Sequence, residues 1–162
     1  MEKLCIPNVK ALIEKEMDGE KWIVLQTRNK PDTDPYTQRY EIPGGKIRAY
    51  ESIYSALKRE IKEECGLDLK RIRDGKLERV YEGEDCVETI QPFTVYQMTK
   101  GPYPSLGLVF ICEAEGELIQ GGDETSNPFW ISKSELEKQI HEKPETFALL
   151  DKSILFEYLR RY

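Results

Sequence analysis

Apolar residues are concentrated in two neighbouring stretches near the start of the chain, NVKALIEKEM and EKWIVLQTR, which predict two β-strands. The stretches meet at Asp18-Gly19, a dipeptide typical of hairpin turns. Prolines and turn-forming residues between Asn29 and Arg39 predict an exposed loop, and YEIPGGK predicts a short strand that enters a Pro-Gly-Gly turn. Further along, LGLVFICEA is apolar at nearly every position, as expected for a central strand covered on both faces.

Three segments predict helices, and they begin near Ser52, Ser132 and Pro144. The first runs to about Cys65, where Gly66 suits the left-handed position after the helix end. The second opens with a capping box, SKSE, and continues through about His141. The last has apolar residues at core spacing, at Phe147, Leu150, Ile154 and Tyr158. This mixture predicts an α/β fold with a mixed β-sheet packed between helices.

The first predicted helix ends in an acidic cluster. On a helical wheel at about 100° per residue, its apolar stripe consists of Ile53, Leu57, Ile61 and Cys65. Glu60 and Glu64 lie along the edge of this stripe, and Glu63 lies just beyond it. Carboxylates at a helix C-terminus oppose the helix dipole, and glutamates three and four apart repel one another. A solvated acidic face is one interpretation; a bound Mg²⁺ or Mn²⁺ is favoured, because it would neutralise the cluster.

Composition indicates a soluble globular protein in one domain, residues 1–162, with 33% charged and 39% hydrophobic residues. The net charge of −6 argues against DNA binding and against anionic membranes. No apolar run is long enough to span a bilayer, and the start lacks a secretory signal. The cysteines are far apart and form no C-x-x-C pair, so free thiols in the cytoplasm are expected.

The acidic cluster lies in a longer motif, GKIRAYESIYSALKREIKEECGL, which covers residues 45–67. This segment resembles the Nudix box, G-x5-E-x7-R-E-U-x-E-E-x-G-U, where U is a bulky aliphatic residue. Every specified position is filled, by Gly45, Glu51, Arg59, Glu60, Ile61, Glu63, Glu64, Gly66 and Leu67. The resemblance implies a MutT-like Nudix pyrophosphohydrolase with an α/β/α sandwich, and the strands and helices around the box are compatible with that fold.

The resemblance also implies roles for the box residues. The metal ligands for Mg²⁺, or for Mn²⁺, would be the Gly45 carbonyl and the carboxylates of Glu60, Glu63 and Glu64. Glu51 and Arg59 resemble the pair that ties the loop to the helix and thereby fixes the ligands. The position before the box glutamate is often glycine in this family and is Tyr50 here, so we expect a change of loop shape without loss of the metal.

Further candidates concern catalysis and substrate binding. Glu63 and Glu64 are the candidates for the general base within the box. Glu124, in GGDETSNPFW, resembles a catalytic glutamate on the flexible loop of some relatives; a solvated turn is an equally good interpretation for it and for Asp123. The candidates for binding substrate phosphate are Arg28, which resembles a strand-end arginine of some relatives, and also Arg39 and Lys46.

Nudix proteins typically hydrolyse a nucleoside diphosphate linked to another moiety, so the expected partner is a nucleotide-type small molecule. The segment YEIPGGK loosely resembles the corresponding segment of enzymes of the ADP-ribose type. A nucleotide sugar such as ADP-ribose is therefore slightly favoured as the substrate over a damaged nucleoside triphosphate. The proline that those enzymes often carry about sixteen residues past the box is Gly83 here. Dinucleoside polyphosphates and NADH are the remaining candidate substrates.

Two functions without catalysis are also compatible with the sequence. One is a Nudix-fold sensor that binds a nucleotide without cleaving it, and the second is a structural protein whose acidic turn binds metal only for stability. An intact box favours the enzyme over the sensor, because such regulators tend to carry an eroded box and an added DNA-binding domain. A homodimer is compatible with the sequence.

Overall fold

The structure is a computed structural model that describes residues 2–120 and 125–162. Its strands are β1 (Ile6–Met17), β2 (Glu20–Arg28), β3 (Tyr40–Glu41), β4 (Gly44–Lys46), β5 (Asp68–Ile72), β6 (Leu77–Glu82), β7 (Asp85–Ile90), β8 (Thr94–Gln97), β9 (Ser105–Glu115) and β10 (Thr125–Ser132). Its α-helices are α1 (Ile53–Cys65), α2 (Lys133–Glu142) and α3 (Leu149–Arg161). No helix within the described ranges is long and apolar enough to cross a membrane.

The main sheet is mixed, as predicted. Its strands follow the order β10-β2-β1-β9-β5, while β3 pairs with β2, β4 with β1 and β8 with β9. Strands β1 and β9 run parallel, and the other pairs of this sheet are antiparallel. Strands β6 and β7 form a separate hairpin. The short β4 therefore brings the start of the Nudix-like motif directly against the central strand β1.

Helices cover both faces of the sheet and bury two apolar layers. On one face α1 packs against the sheet, with a core that includes Ala11, Ile13, Leu57, Ile61 and Phe110. On the other face lie α2 and α3, with a core that includes Leu12, Val109, Leu136, Ile154 and Tyr158. The central strands β1 and β9 are buried on both sides, which explains their nearly continuous apolar sequences. The predicted α/β/α sandwich is confirmed.

Local signals at the predicted turns and caps act as expected. Asp18 and Gly19 have positive φ angles of 53° and 76°, the geometry of a tight hairpin turn between β1 and β2. The Ser52 hydroxyl accepts a hydrogen bond from the Ser55 amide, at 3.1 Å, and caps α1. Gly66 ends the helix with φ 76°, and its amide donates to the Lys62 carbonyl at 3.0 Å.

The last helix begins later than predicted. Pro144 opens a 3₁₀ turn, Pro144–Thr146, and the chain is extended at Phe147 and Ala148 before α3 starts at Leu149. The reason is a contact with a distant strand: Phe147 forms a parallel bridge with Tyr40, whose carbonyl accepts from the Ala148 amide at 2.9 Å. The expected core residues Phe147, Ile154 and Tyr158 are buried, and Leu150 is half-buried.

We expect Gly66→Ala to cost more stability than Gly19→Ala, although both glycines have a φ of 76°. Each alanine incurs the left-handed penalty, about 1–2 kcal/mol. At Gly19 the new methyl group meets open space, whereas at Gly66 it collides with Ile119, whose amide is bonded to the Cys65 carbonyl. Urea unfolding of both variants measures the difference, and equal losses would contradict this account of the helix end.

Candidate active site

A cleft of about 850 Å³ opens beside the Nudix-like motif. Its walls come from β1, β2, the loop of residues 29–39, β4, α1 and the start of α3. The acidic residues that line it are Asp34, Glu41, Glu60, Glu63, Glu64 and Asp151. The basic residues that line it are Lys10, Arg28, Lys30, Lys46, Arg48 and Arg59, and the aromatic ones are Tyr36, Tyr96 and Tyr103. The cleft therefore combines carboxylates, cationic side chains and aromatic rings.

Helix α1 presents its three clustered glutamates to this cleft. Glu60 is 9% exposed, whereas the side chain of Glu63 is 55% exposed. Arg59 lies between them: its guanidinium contacts the Glu60 carboxylate and lies 3.4 Å from Oε2 of Glu63. Within the described ranges, no three His, Cys, Asp or Glu side chains already lie close enough together to hold a metal ion. Arg59 thus supplies the positive charge that these two carboxylates face.

Glu64 is bound to the loop that precedes the helix. Its Oε2 accepts hydrogen bonds from the Gly44 amide at 2.8 Å and from Nε2 of Gln26 at 2.9 Å. Burial raises the pKa of Glu64 to about 7, and the two hydrogen bonds oppose that rise. This carboxylate joins α1 to both the loop and strand β2.

Two glycines let the loop approach the helix and the sheet. Gly44 has a φ of 153°, and a side chain there would collide with the carbonyl of Val9. A side chain at Gly45 would occupy the place of the Glu60 carboxylate. The backbone of Gly45 and this carboxylate therefore lie together, which requires a residue without a Cβ.

The predicted tie between loop and helix is present. Arg59 donates from Nε to Oε1 of Glu51 at 2.8 Å and from Nη2 to Oε2 at 2.9 Å. The same guanidinium donates to the Lys46 carbonyl at 3.1 Å, and Glu51 also accepts from the Arg48 amide at 2.9 Å. Tyr50, next to this pair, is fully exposed with a φ of 60°, so the tyrosine occupies a glycine-type backbone conformation.

The predicted phosphate-binding residues have different surroundings. Arg28 lies in the cleft, but its guanidinium is engaged by Asp34 at 2.7 Å, by Glu41 at 2.9 Å and by the Tyr103 hydroxyl at 3.1 Å. Lys46 also lines the cleft and is exposed.

The remaining candidate for binding phosphate lies outside the cleft wall. The guanidinium of Arg39 sits over the ring of Tyr36, at 5.4 Å, and is not among the residues that line the cleft. Asp123 and Glu124 lie outside the described residues.

Sequence reasoning missed a buried ion pair at the base of the cleft. Lys10 on β1 and Asp151 on α3 are 8% and 1% exposed, and their charged atoms lie 2.8 Å apart. One sequence signal could have indicated Asp151: it lies three residues before Ile154 and seven before Tyr158, on the core-facing stripe of its helix. A carboxylate on such a stripe requires a buried partner.

Comparison with known proteins places the chain in a family. A family model of the NUDIX domain matches residues 7–150, so the chain belongs to the Nudix family. Comparison with curated proteins gives no match.

Solved structures share the fold at low sequence identity. The NUDIX domain of Shewanella oneidensis NrtR, complexed with ADP ribose, is 14% identical with a TM-score of 0.70, over 99% of this chain and 90% of that one. The MutT protein from Methanosarcina mazei Go1 is 22% identical with a TM-score of 0.63, over 99% and 96% of the two chains. A NUDIX-family hydrolase from Clostridium perfringens is 18% identical with a TM-score of 0.63, over 95% of each.

Glu51→Gln should lower stability at neutral pH, and this loss of stability should become smaller as the pH falls below 4.5. The Arg59 guanidinium, with the Arg48 amide, lowers the pKa of Glu51 from 4.5 to about 2. The stability contributed by the ionised carboxylate is therefore complete above pH 4.5 and is lost as the pH falls toward 2. The measurement is urea unfolding of wild type and variant between pH 7 and pH 3, in steps of about one unit.

Glu113→Gln is the matched control for this measurement. Glu113 also accepts two hydrogen bonds from one arginine, Arg71, but the side chains are 40% and 65% exposed. An exposed pair of this kind contributes little, so we expect a much smaller loss. A Glu51→Gln effect that is equally small, or that does not change with pH, would contradict the predicted role of the ionised carboxylate.

Proposed function

We propose that this protein hydrolyses the pyrophosphate linkage of a nucleoside diphosphate derivative, with a divalent cation at the acidic end of the cleft. The observation that carries the proposal is the meeting of the Gly45 backbone and the Glu60 carboxylate, beside Glu64, in a cleft whose other walls carry cations and tyrosines. Family membership supports the reaction class, because Nudix proteins typically cleave such linkages.

The donor set fits Mg²⁺ or Mn²⁺. The proposed ligands are the Gly45 carbonyl and the carboxylates of Glu60, Glu63 and Glu64, all of them the oxygen donors that hard cations prefer. When bound, such a cation supplies charge neutralisation at the phosphate oxygens and a more nucleophilic water. Glu51 and Arg59 hold the loop and the helix in register around the ligands.

The protein's own residues would orient the substrate and accept the proton of the attacking water. The candidates for the base are Glu63 and Glu64, which line the cleft, and Glu124. Arg28 and Lys46, which line the cleft, are proposed to bind phosphate, and Arg39, whose guanidinium lies over the ring of Tyr36, is a further candidate. A phosphate at Arg28 would compete with the Asp34 carboxylate, so substrate binding and the position of the 29–39 loop are coupled.

The rings at the cleft support a nucleotide substrate. Tyr36 and Tyr103 meet edge to face with their centroids 6.4 Å apart, and both line the cleft next to Arg28. The surface that they form suits the flat or hydroxylated part of a nucleotide. ADP-ribose, or a similar nucleotide sugar, is our first choice, and the ADP-ribose complex of the NrtR domain supports it. A damaged nucleoside triphosphate is the second choice, and the MutT protein neighbour supports it.

Glu64→Gln is predicted to reduce kcat by at least about a hundredfold while the protein remains folded. The substitution removes the charge but keeps the volume and an oxygen that can accept from Gly44. Steady-state hydrolysis at saturating Mg²⁺ and far-ultraviolet circular dichroism give the two readouts. Glu137→Gln, at an exposed position of α2, is the control and should retain full activity. Normal turnover by Glu64→Gln would contradict its assignment to the metal site.

A substrate panel tests the choice of substrate class. Purified protein with Mg²⁺ or Mn²⁺ is incubated with ADP-ribose, oxidised nucleoside triphosphates, dinucleoside polyphosphates and NADH, and the products are separated by chromatography. We expect AMP and a sugar phosphate from ADP-ribose, because water adds to one phosphorus and the bridging oxygen leaves with the other. Pyrophosphate and a nucleoside monophosphate would favour a triphosphate substrate, and tight binding without turnover of any compound would indicate a sensor.

A further inference from the structure

We propose that Asp151 is a positioning residue for the metal-binding loop, acting with Lys10 from a helix far outside the Nudix box. The inference rests on the proposed function, since it concerns the loop that would supply the Gly45 ligand. Asp151 is 1% exposed at the start of α3, and Lys10 is 8% exposed on β1. The Nudix box does not assign a role to either residue, because both lie outside residues 45–67.

The ion pair holds both backbone polar groups of Ile42. The Ile42 amide donates to Oδ1 of Asp151 at 2.9 Å. The Ile42 carbonyl accepts from Nζ of Lys10 at 3.1 Å, and the same Nζ donates to Oδ1 of Asp151 at 2.8 Å. Ile42 is fully buried, so these contacts replace the hydrogen bonds that water would otherwise make. One peptide position is thus clamped on two sides by a single pair of side chains.

The clamped position directly precedes the loop of the site. Pro43 follows Ile42, and its carbonyl accepts from the Ala11 amide at 2.8 Å. Gly44 donates to Glu64, and Gly45 lies against the carboxylate of Glu60. The loop is therefore fixed at successive backbone groups from residue 42 to residue 44. A shift at Ile42 would move the Gly45 carbonyl relative to the carboxylates of α1.

A purely structural role would not require this pair. The start of α3 is already tied to the sheet by the Ala148 amide, which donates to the Tyr40 carbonyl at 2.9 Å. Well-packed apolar residues often stabilise a core as well as a buried ion pair does. Apolar side chains, however, provide neither the acceptor nor the donor that Ile42 uses. The geometry therefore favours a role in placing the loop, and Mg²⁺ tolerates little deviation in ligand position.

The test is Mn²⁺ binding to the substrate-free protein, measured by electron paramagnetic resonance. Asp151→Leu removes the acceptor for Ile42, and we expect the Kd for Mn²⁺ to rise by at least about tenfold. Asp151→Asn keeps an oxygen for the Ile42 amide, so the rise should stay below about threefold. In turnover assays, higher Mg²⁺ concentrations should restore part of the kcat lost by Asp151→Leu.

Glu14→Leu is a matched control for the loss of a buried carboxylate. Glu14 is 6% exposed on the same strand, β1, and accepts from the Tyr158 hydroxyl of the same helix, α3, at 2.7 Å. It also pairs with Arg73, and these contacts lie away from the loop. This variant should lose thermal stability as Asp151→Leu does, yet its Mn²⁺ affinity should stay within about twofold of wild type.

The outcomes distinguish failure of the metal site, of the proposed function and of the positioning role. Wild-type protein that binds no Mn²⁺ would overturn the metal site and this inference together. Mn²⁺ binding without hydrolysis would overturn only the proposed function. Equal affinities in wild type and Asp151→Leu, or an equal loss in Glu14→Leu, would overturn only the positioning role. If Asp151→Leu does not fold, the Lys10→Met variant is measured instead, because it removes the donor to the Ile42 carbonyl. A Kd for Mn²⁺ that rises by at least about threefold supports the positioning role, and an unchanged Kd overturns it.

Discussion

The close approach of a glycine backbone to the acidic end of α1 is the constraint on which the site depends. Gly44 donates to Glu64, and Gly45 leaves no room for a side chain beside Glu60. A buried carboxylate is costly unless hydrogen bonds satisfy it, and here those bonds come from the loop and from Gln26. The loop and the helix end therefore stabilise each other. Neither the glutamates nor the glycines would have this geometry alone.

The sheet explains how a short loop is held so firmly. Strand β1 lies at the centre and pairs with β2, β4 and β9, so the loop between β3 and β4 rests on a largely buried central strand. Lys10 belongs to that strand. Its ammonium group donates hydrogen bonds to the Ile42 carbonyl and to the Asp151 carboxylate. The same scaffold places Arg28, at the end of β2, in the wall of the cleft that α1 also lines. The neighbouring strands β1 and β2 thus place Lys10 and Arg28 in the wall of the same cleft.

Patterns along the chain predicted the hairpin at Asp18-Gly19, the bounds of α1, the central strand β9 and the layered fold, because each depends on local periodicity or turn chemistry. The box positions also predicted the Glu51–Arg59 pair. The predicted start of α3 was wrong, because a strand-like bridge to Tyr40 overrides the proline signal. The partners of Lys10 and Arg28 were missed for a related reason: they lie up to 141 residues away in sequence, and no single-chain periodicity encodes such contacts.

The proposed roles of the cleft residues follow from these contacts. The proposed cation site and reaction class rest on the box and its loop, and both can be recognised in the sequence. The proposed selectivity rests on a second wall of the cleft, where Asp34 of the 29–39 loop engages Arg28, and where Tyr36 and Tyr103 meet. That wall has no periodic pattern, and the fold neighbours are only 14% and 22% identical. Substrate choice must therefore be argued from the side chains of this protein, since a shared fold does not determine which group the loop accommodates.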